Sequence, residues 1–392
     1  MDTQFSVIVV GGGYFGTSIA YYLSARKIRT LLVEQNEIGS GASGRNFGNI
    51  QVQDMTDGIC LQLALESFSL WGGMEDLLQL DLEYRSRDSI IYAETWEEWD
   101  LLRDMQARKK QQGLEVEFWN SRQLCQHEPL ISPEHIRGAA VCREATINPF
   151  KVLYGFVRRA RENGAKIIEK TRIMDFIVEG GKIKGVVTNR GEYRSDLVIL
   201  ATGAWTKQLA NKLGLELPVE YVYAEASVTE SLPSIFNSYF APACFFIEAH
   251  GTPQVNTTLT VTQTLQGNII WGETNHPSQG AAVPDDTISL CSAVHLRGIF
   301  EKVRKFFPQL LKANLIRSWG VYNPFTTDHL PVFGSAGLEG LMVVAAFKST
   351  VIFLPLVGKI VADLVTRGKS SYELTGFLME ENTNHKKARG CQ

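Results

Sequence analysis

The sequence predicts an α/β protein: a Rossmann-like nucleotide-binding domain joined to a second α+β domain built on a mostly antiparallel sheet. Three observations carry this. The chain opens with a β-branched run, a glycine-rich turn and an apolar-periodic segment (Phe5 to Ser24). A second strand-like run, Arg29 to Val33, ends in an acid, Glu34. Between Leu217 and Thr274 the pattern changes to alternating segments, clearest in Val255 to Thr264, the period of a half-buried strand.

The 392 residues allow two to three domains, and 44% apolar with 21% charged residues supports a large core. A net charge of -3 has no basic stripe for nucleic acid. The six cysteines form no CxxC pair, so a metal ribbon or dithiol motif is excluded and reduced thiols are expected. The N-terminal apolar run stops at Gly11 without a basic region, which points to a cytoplasmic protein. Leu341 to Val357 is apolar but broken by Lys348 and Pro355. It reads as a strand followed by a core helix rather than a membrane span, and any membrane association would be peripheral, through a partner.

The opening unit has the order strand, glycine turn, helix, strand, acid that a dinucleotide site requires. Gly11 permits the tight turn, Gly13 lets the backbone approach a pyrophosphate, and Gly16 lets the helix pack on the strand. Tyr14 and Phe15 begin the helix, whose free N–H groups face the phosphates. Glu34, 18 residues after Gly16, is placed to accept from a ribose and would repel a 2′-phosphate, so NADP is disfavoured. Gln35 follows it. A second run, Gly39 to Ile50, holds four glycines in twelve positions. Such a run suits a second close backbone approach to an extended ligand. Ser43, Arg45 and Asn46 supply donors there, beside Phe47, Gly48 and Asn49.

This combination resembles the FAD-dependent amino-acid and amine oxidoreductases of the D-amino-acid oxidase type, which include glycine and sarcosine oxidases and the flavin subunits of dye-linked dehydrogenases. The resemblance continues through Gly138 to Pro149, Asp196 to Trp205, Gly267 to Thr274, Trp319 to Gly334 and Pro355 to Leu364. It implies FAD and adds Ile173, Ala201, Thr202, Gly203, Trp205, Gly334, Lys348, Ser349 and Thr350 to the expected cofactor contacts. It implies oxidation of a C–N bond of an amino acid or amine by hydride transfer to the flavin N5, with hydrolysis of the imine. Pocket candidates are Asn49, Gln51, Tyr223, Trp271, Tyr322, His329 and Lys348, and no catalytic acid or base is assigned. No metal site is expected. With no cysteine between 319 and 328, the FAD is expected to be non-covalent. Partner subunits for electron transfer are compatible with the resemblance.

The sequence departs from the family pattern near the expected flavin ring. Asn323 stands where many relatives have arginine, and Thr350 takes the place of a glycine whose absence would tilt the ring, reroute the backbone or block the site. Asp88 stands for a glycine, and Tyr223-Ala224-Glu225 for Arg-Gly-Gln. Two readings follow: a site rebuilt for another substrate, with Lys348 taking an anion contact, or an FAD-binding subunit that is catalytically weak or silent. An NAD-dependent dehydrogenase is the third. The expected domains are 1–85, 138–214 and 319–379 for FAD, 86–137 and 215–318 for substrate, and a disordered tail 380–392.

Overall fold

The computed structural model describes residues 3–244, 254–278, 281–284 and 290–379. The expected tail lies outside them.

The first sheet contains β1 (Val7–Val10), β2 (Thr30–Val33), β7 (Lys166–Ile168), β11 (Val198–Leu200), β17 (Val332–Ser335) and β18 (Leu341–Ala345). Its spatial order is β17-β18-β11-β1-β2-β7. All pairs are parallel except β17 with β18. The central strands β1 and β2 are buried throughout, as continuous apolar runs covered on both faces should be. A small antiparallel sheet, β8 (Ile173–Glu179), β9 (Lys182–Thr188) and β10 (Gly191–Arg194), branches from this unit.

The larger sheet holds β3 (Asn49–Ile50), β4 (Arg85–Ala93), β5 (Glu117–Trp119), β6 (Gly138–Thr146), β12 (Glu220–Ser231), β13 (Ser238–Pro242), β14 (Asn256–Gln263), β15 (Asn268–Pro277) and β16 (Leu315–Phe325). Its order is β16-β12-β15-β14-β13-β4-β6-β3, with β5 on β6. β13 pairs parallel to β4 and the other described pairs are antiparallel. β3, β6 and residues 319–325 of β16 lie within the ranges expected for the cofactor unit, yet they pair into this larger sheet, so the strand pairing does not follow those boundaries.

The helices are α1 (Tyr14–Ala25), α2 (Ile59–Trp71), α3 (Met74–Leu78), α4 (Trp96–Gln111), α5 (Ser121–His127), α6 (Pro149–Glu162), α7 (Thr206–Asn211), α8 (Ala293–Phe306) and α9 (Leu354–Arg367). Among the described residues none is long and apolar enough to cross a membrane. α6 starts at Pro149 because Asn148 caps it and Pro149 fits its first turn. The alternation in β14 sorts the faces of its sheet. Leu259 and Val261 pack in the core with Ile299 and Val303 of α8, while the Thr262 hydroxyl, on the opposite face, donates to Asn49 at 3.0 Å.

α1 is buried along nearly its whole length between α6 and α9. It contacts α9 at backbone range: a Cβ on Gly358 would lie 2.3 Å from Ser18 Oγ and 3.0 Å from the Ser18 carbonyl carbon. Ser18 Oγ donates to the Leu354 carbonyl at 2.8 Å in the same crossing. Gly358→Val is therefore expected to overpack the crossing and cost about 2–3 kcal/mol, read as a lower denaturant midpoint with an unchanged slope.

Candidate cofactor and active site

A cavity of about 620 Å³ begins at the C-terminal ends of the parallel strands and runs between the two large sheets, the position where open parallel sheets bind ligands. Its first wall is the glycine turn. Gly11 has φ +107°, and a Cβ there would lie 2.4 Å from the Ala201 carbonyl oxygen. A Cβ on Gly16 would lie 1.8 Å from the Gly11 oxygen. These contacts press β1, β11 and α1 together, so Gly16 shapes the turn without lining the cavity. Gly13 is the N-cap of α1 and brings no side-chain cap, and the first turn has no acid. The positive end of the helix thus faces the cavity with no acid to neutralise it, as an anion site requires.

Glu34 closes the turn from beneath. Its carboxylate accepts from Gly12 N at 2.6 Å and from Asn36 N at 2.8 Å. Burial pushes its pKa up, against those backbone bonds. It lines the cavity together with Gln35 and Ile173. Two carboxylate oxygens have about four acceptor positions, so those two N–H bonds leave capacity for a ribose.

The second glycine run wraps over α1. The Ser43 hydroxyl accepts from Tyr14 N at 2.9 Å. Asn46 Nδ2 donates to the Ser43 carbonyl at 2.7 Å and to the Tyr14 hydroxyl at 3.0 Å, and Asn46 Oδ1 accepts from Gly48 N at 2.8 Å. Burial raises the Tyr14 hydroxyl above its ordinary range, so it stays a neutral bonding partner. Gly48 has φ +75°, and a Cβ there would meet the Ile147 oxygen at 2.3 Å. Ser43, Asn46, Phe47 and Asn49 line the cavity. Arg45 and Gly48 do not. Arg45 turns to a neighbouring cavity of about 400 Å³, and its carbonyl accepts from Trp319 Nε1 at 3.0 Å.

The far end of the cavity lies between the sheets. Ala201, Thr202, Gly203 and Trp205 reach it from the end of β11, Tyr322 and Asn323 from β16, and His329, Lys348, Ser349 and Thr350 from the loops around β17 and β18. Trp205 Nε1 is buried there with no hydrogen-bond partner, an orphan donor of the sort a bound polar group satisfies. The backbone around Thr350 is unusual. Ala346 and Ser349 adopt positive φ, +58° and +46°, which costs about 1–2 kcal/mol per non-glycine residue. The Thr350 hydroxyl folds back onto the Phe347 carbonyl at 3.0 Å, and the Ser349 hydroxyl bonds Asp54. Burial lowers the Lys348 pKa, with Asp54 opposing. Burial also lowers His329, and the Lys348 charge adds to that.

Besides Gly16, Arg45 and Gly48, three more expected contacts fall elsewhere. Trp271 is fully buried in the core beneath α8. Tyr223 donates to the Leu290 carbonyl at 2.7 Å and touches the site only through the Tyr322 ring, 5.0 Å between centroids. Gly334 faces Leu378, not the cavity. Two of the family departures are also remote. Asp88 pairs with Arg143 at 2.9 Å and His127 at 3.1 Å. Glu225 is buried on the α8 side, bonded to Ser292 and His276. Conversely, Asp54, Thr260 and Glu273 line the cavity without having been singled out in the sequence. A bulge explains Glu273. β15 slips against β12 between Glu225 and Ala226 and against β14 between Thr257 and Thr260. Ile269 and Trp271 face α8, and so does Thr274, three residues further on, whose hydroxyl bonds His295 Nδ1 at 3.0 Å. Simple alternation would send Glu273 to the α8 face; the extra residue turns it into the cavity instead.

The family model described as FAD dependent oxidoreductase (DAO) matches residues 6–364. The chain belongs to the FAD-dependent oxidoreductase family. It is 25% identical to the glycine oxidase of Geobacillus kaustophilus over 96% of this chain and 97% of that protein. It is 26% identical to the 4-methylaminobutanoate oxidase (formaldehyde-forming) of Paenarthrobacter nicotinovorans over 99% of this chain, spanning 47% of that longer protein. The crystal structure of glycine oxidase from Geobacillus kaustophilus superposes with a TM-score of 0.85 at 24% identity, covering 96% of this chain and 98% of that one. The flavoprotein fold expected from the sequence is therefore the fold observed, and FAD is the cofactor of the family. The uncapped helix end, the turn closed to any Cβ, the Glu34 carboxylate and the orphan Trp205 donor all fit that dinucleotide.

Proposed function

We propose that the protein binds FAD non-covalently in the 620 Å³ cavity and oxidises the C–N bond of an amino acid or a related primary or secondary amine. The observation that carries this reading is the continuity of one cavity from an uncapped helix N-terminus to a polar chamber between the sheets. FAD, when bound, supplies the two-electron acceptor for a C–H bond beside nitrogen. The Gly11 to Gly16 turn, Ser43 and Glu34 hold the dinucleotide, while Asn49, Gln51, Tyr322, His329 and Lys348 line the chamber that positions substrate and excludes water. Among the described residues no cysteine lines the cavity, which supports non-covalent attachment. The activities in the names of the glycine and 4-methylaminobutanoate oxidases support amine chemistry.

The departures at Asn323 and Ala345 to Thr350 sit at the chamber, and they favour a substrate other than those of the named relatives. Anaerobic addition of a panel of amines and amino acids is expected to bleach the flavin with at least one of them. A yellow protein that none of the panel reduces, with and without candidate partner subunits, would favour the silent-subunit reading. A colourless protein that binds NAD would overturn the assignment.

A further inference from the structure

We infer that Glu273 is the residue that selects a positively charged substrate nitrogen, so that the chamber takes alkylammonium cations. The inference deepens the amine-oxidising reading and rests on it for the word substrate.

The bulge in β15 places Glu273 on the cavity side, beside Thr260. A carboxylate on a sheet face that packs against another domain needs a partner. In this case the partner is slight: Asn275 Nδ2 donates to Oε1 at 3.1 Å. No lysine or arginine forms an ion pair with Glu273 among the described residues. Burial pushes its pKa up, and the Asn275 bond is what opposes this, which agrees with a carboxylate that has no cation beside it.

The other buried carboxylates around this chamber have several donors or a lysine charge beside them. Glu34 is tied by two backbone N–H groups and Glu144 by Val52, Gln53 and Tyr239; Asp54 bonds Ser349 and, although its Oδ1 has no hydrogen-bond partner, it lies within electrostatic reach of Lys109 and Lys348. Glu273 is the acid in the cavity wall whose charge is left for a ligand to neutralise. Lys348 and His329 enter from the loops of the other domain, so the chamber carries its acid on the sheet wall and its basic groups on the loop wall. A ligand with a cationic nitrogen is thereby oriented with that nitrogen toward β15.

The probe is tert-butylammonium, which has no C–H bond beside nitrogen and so cannot be oxidised to an imine. Its neutral and anionic counterparts of similar shape are tert-butanol and pivalate. Each is titrated into the FAD-loaded protein while the visible flavin band is followed. The wild type is expected to bind tert-butylammonium more tightly than tert-butanol. Glu273→Gln should weaken tert-butylammonium by about tenfold or more, the range for removing one charge of a desolvated pair, and leave tert-butanol unchanged. Glu273→Asp should retain a measurable preference for the cation. Flavin content and melting temperature establish that the variants are folded.

Equal weakening of the cation and the alcohol would assign Glu273 a structural role and overturn the proposal. So would an unchanged cation affinity in Glu273→Gln, or a wild type that does not prefer the cation. Because the probe is not a substrate, these outcomes are separate from the bleaching screen. A protein that no amine reduces can still pass or fail this test.

Discussion

Gly13→Val is expected to give a folded protein that has lost at least about tenfold of its FAD. A Cβ at Gly13 meets only Ser43, at 2.9 Å from Oγ and 3.9 Å from Cβ. That hydroxyl ends a short rotatable side chain, so the backbone need not move. What changes is the mouth of the helix. The isopropyl group covers the N–H groups of the first turn of α1, and the displaced Ser43 no longer accepts from Tyr14 N. The anion site is blocked while the sheet behind it is untouched. Gly16→Val provides the contrast, since its Cβ would sit 1.8 Å from a backbone oxygen and neither partner can rotate away. That variant should fail to fold rather than fold without cofactor. The measurement is the flavin-to-protein ratio of purified Gly13→Val together with its melting temperature, compared with wild type stripped of FAD, because bound cofactor itself adds stability. A normal flavin ratio would remove the turn from the site.

The contrast between these two glycines shows what the sequence could carry. Gly11, Gly13 and Gly16 are constraints on backbone approach, and such constraints appear directly as residue type at fixed spacing. The Ser43 and Asn46 bonds to α1 belong to the same class: small polar residues in a tight run have few places to go. The other end of the site depends on register. Tyr223 and Tyr322 face each other across β12 and β16, and only pairing decides which of them reaches the chamber. Glu273 reaches the cavity because of one extra residue in β15, which leaves no compositional mark. The Ala345 to Thr350 segment shows a third limit. The sequence locates the departure at Thr350, but the positive φ values fall on Ala346 and Ser349, residues whose side chains do not announce them. β6 reads as part of the cofactor unit from its neighbours in sequence, whereas nine consecutive residue pairs with β4 put it in the larger sheet. Local chemistry is legible in residue types; the choice of partner strand is a property of the assembled sheet.

Glu144 supplies the second large effect, and its sign follows from where its proton sits. The side chain is buried on β6. One oxygen accepts from Val52 N at 2.6 Å and Gln53 N at 2.7 Å, and the other from the Tyr239 hydroxyl. Burial lifts its pKa from 4.5 to about 7, against these bonds, with Asp54 adding to the rise. The native state therefore binds more protons than the unfolded chain between those values. Its contribution to stability is complete below the unfolded pKa and is lost as pH rises through about 7. At 1.36 kcal/mol per unit the span is about 3 kcal/mol. The groups around it titrate elsewhere: burial raises Tyr239 and Cys142 well above their ordinary values. Lys109, which donates to the Gln53 carbonyl at 2.6 Å, is lowered by burial to about 8. It thus acts in the opposite direction in an alkaline window. Denaturant unfolding in excess FAD at pH 5, 6 and 7 is expected to show wild-type stability falling, and Glu144→Gln reducing that slope. Equal slopes in the two proteins would refute the assignment. Glu144→Ala should be worse at every pH, by about 3 kcal/mol or more, because two buried N–H groups and a phenol lose their acceptor together. The consequence reaches the cofactor as well. Val52 and Gln53 lie between Gln51 and Asp54, both in the cavity wall. Releasing their backbone should therefore loosen the wall as well as the core, and Glu144→Ala should retain less flavin than Glu144→Gln when both are assayed where each remains folded.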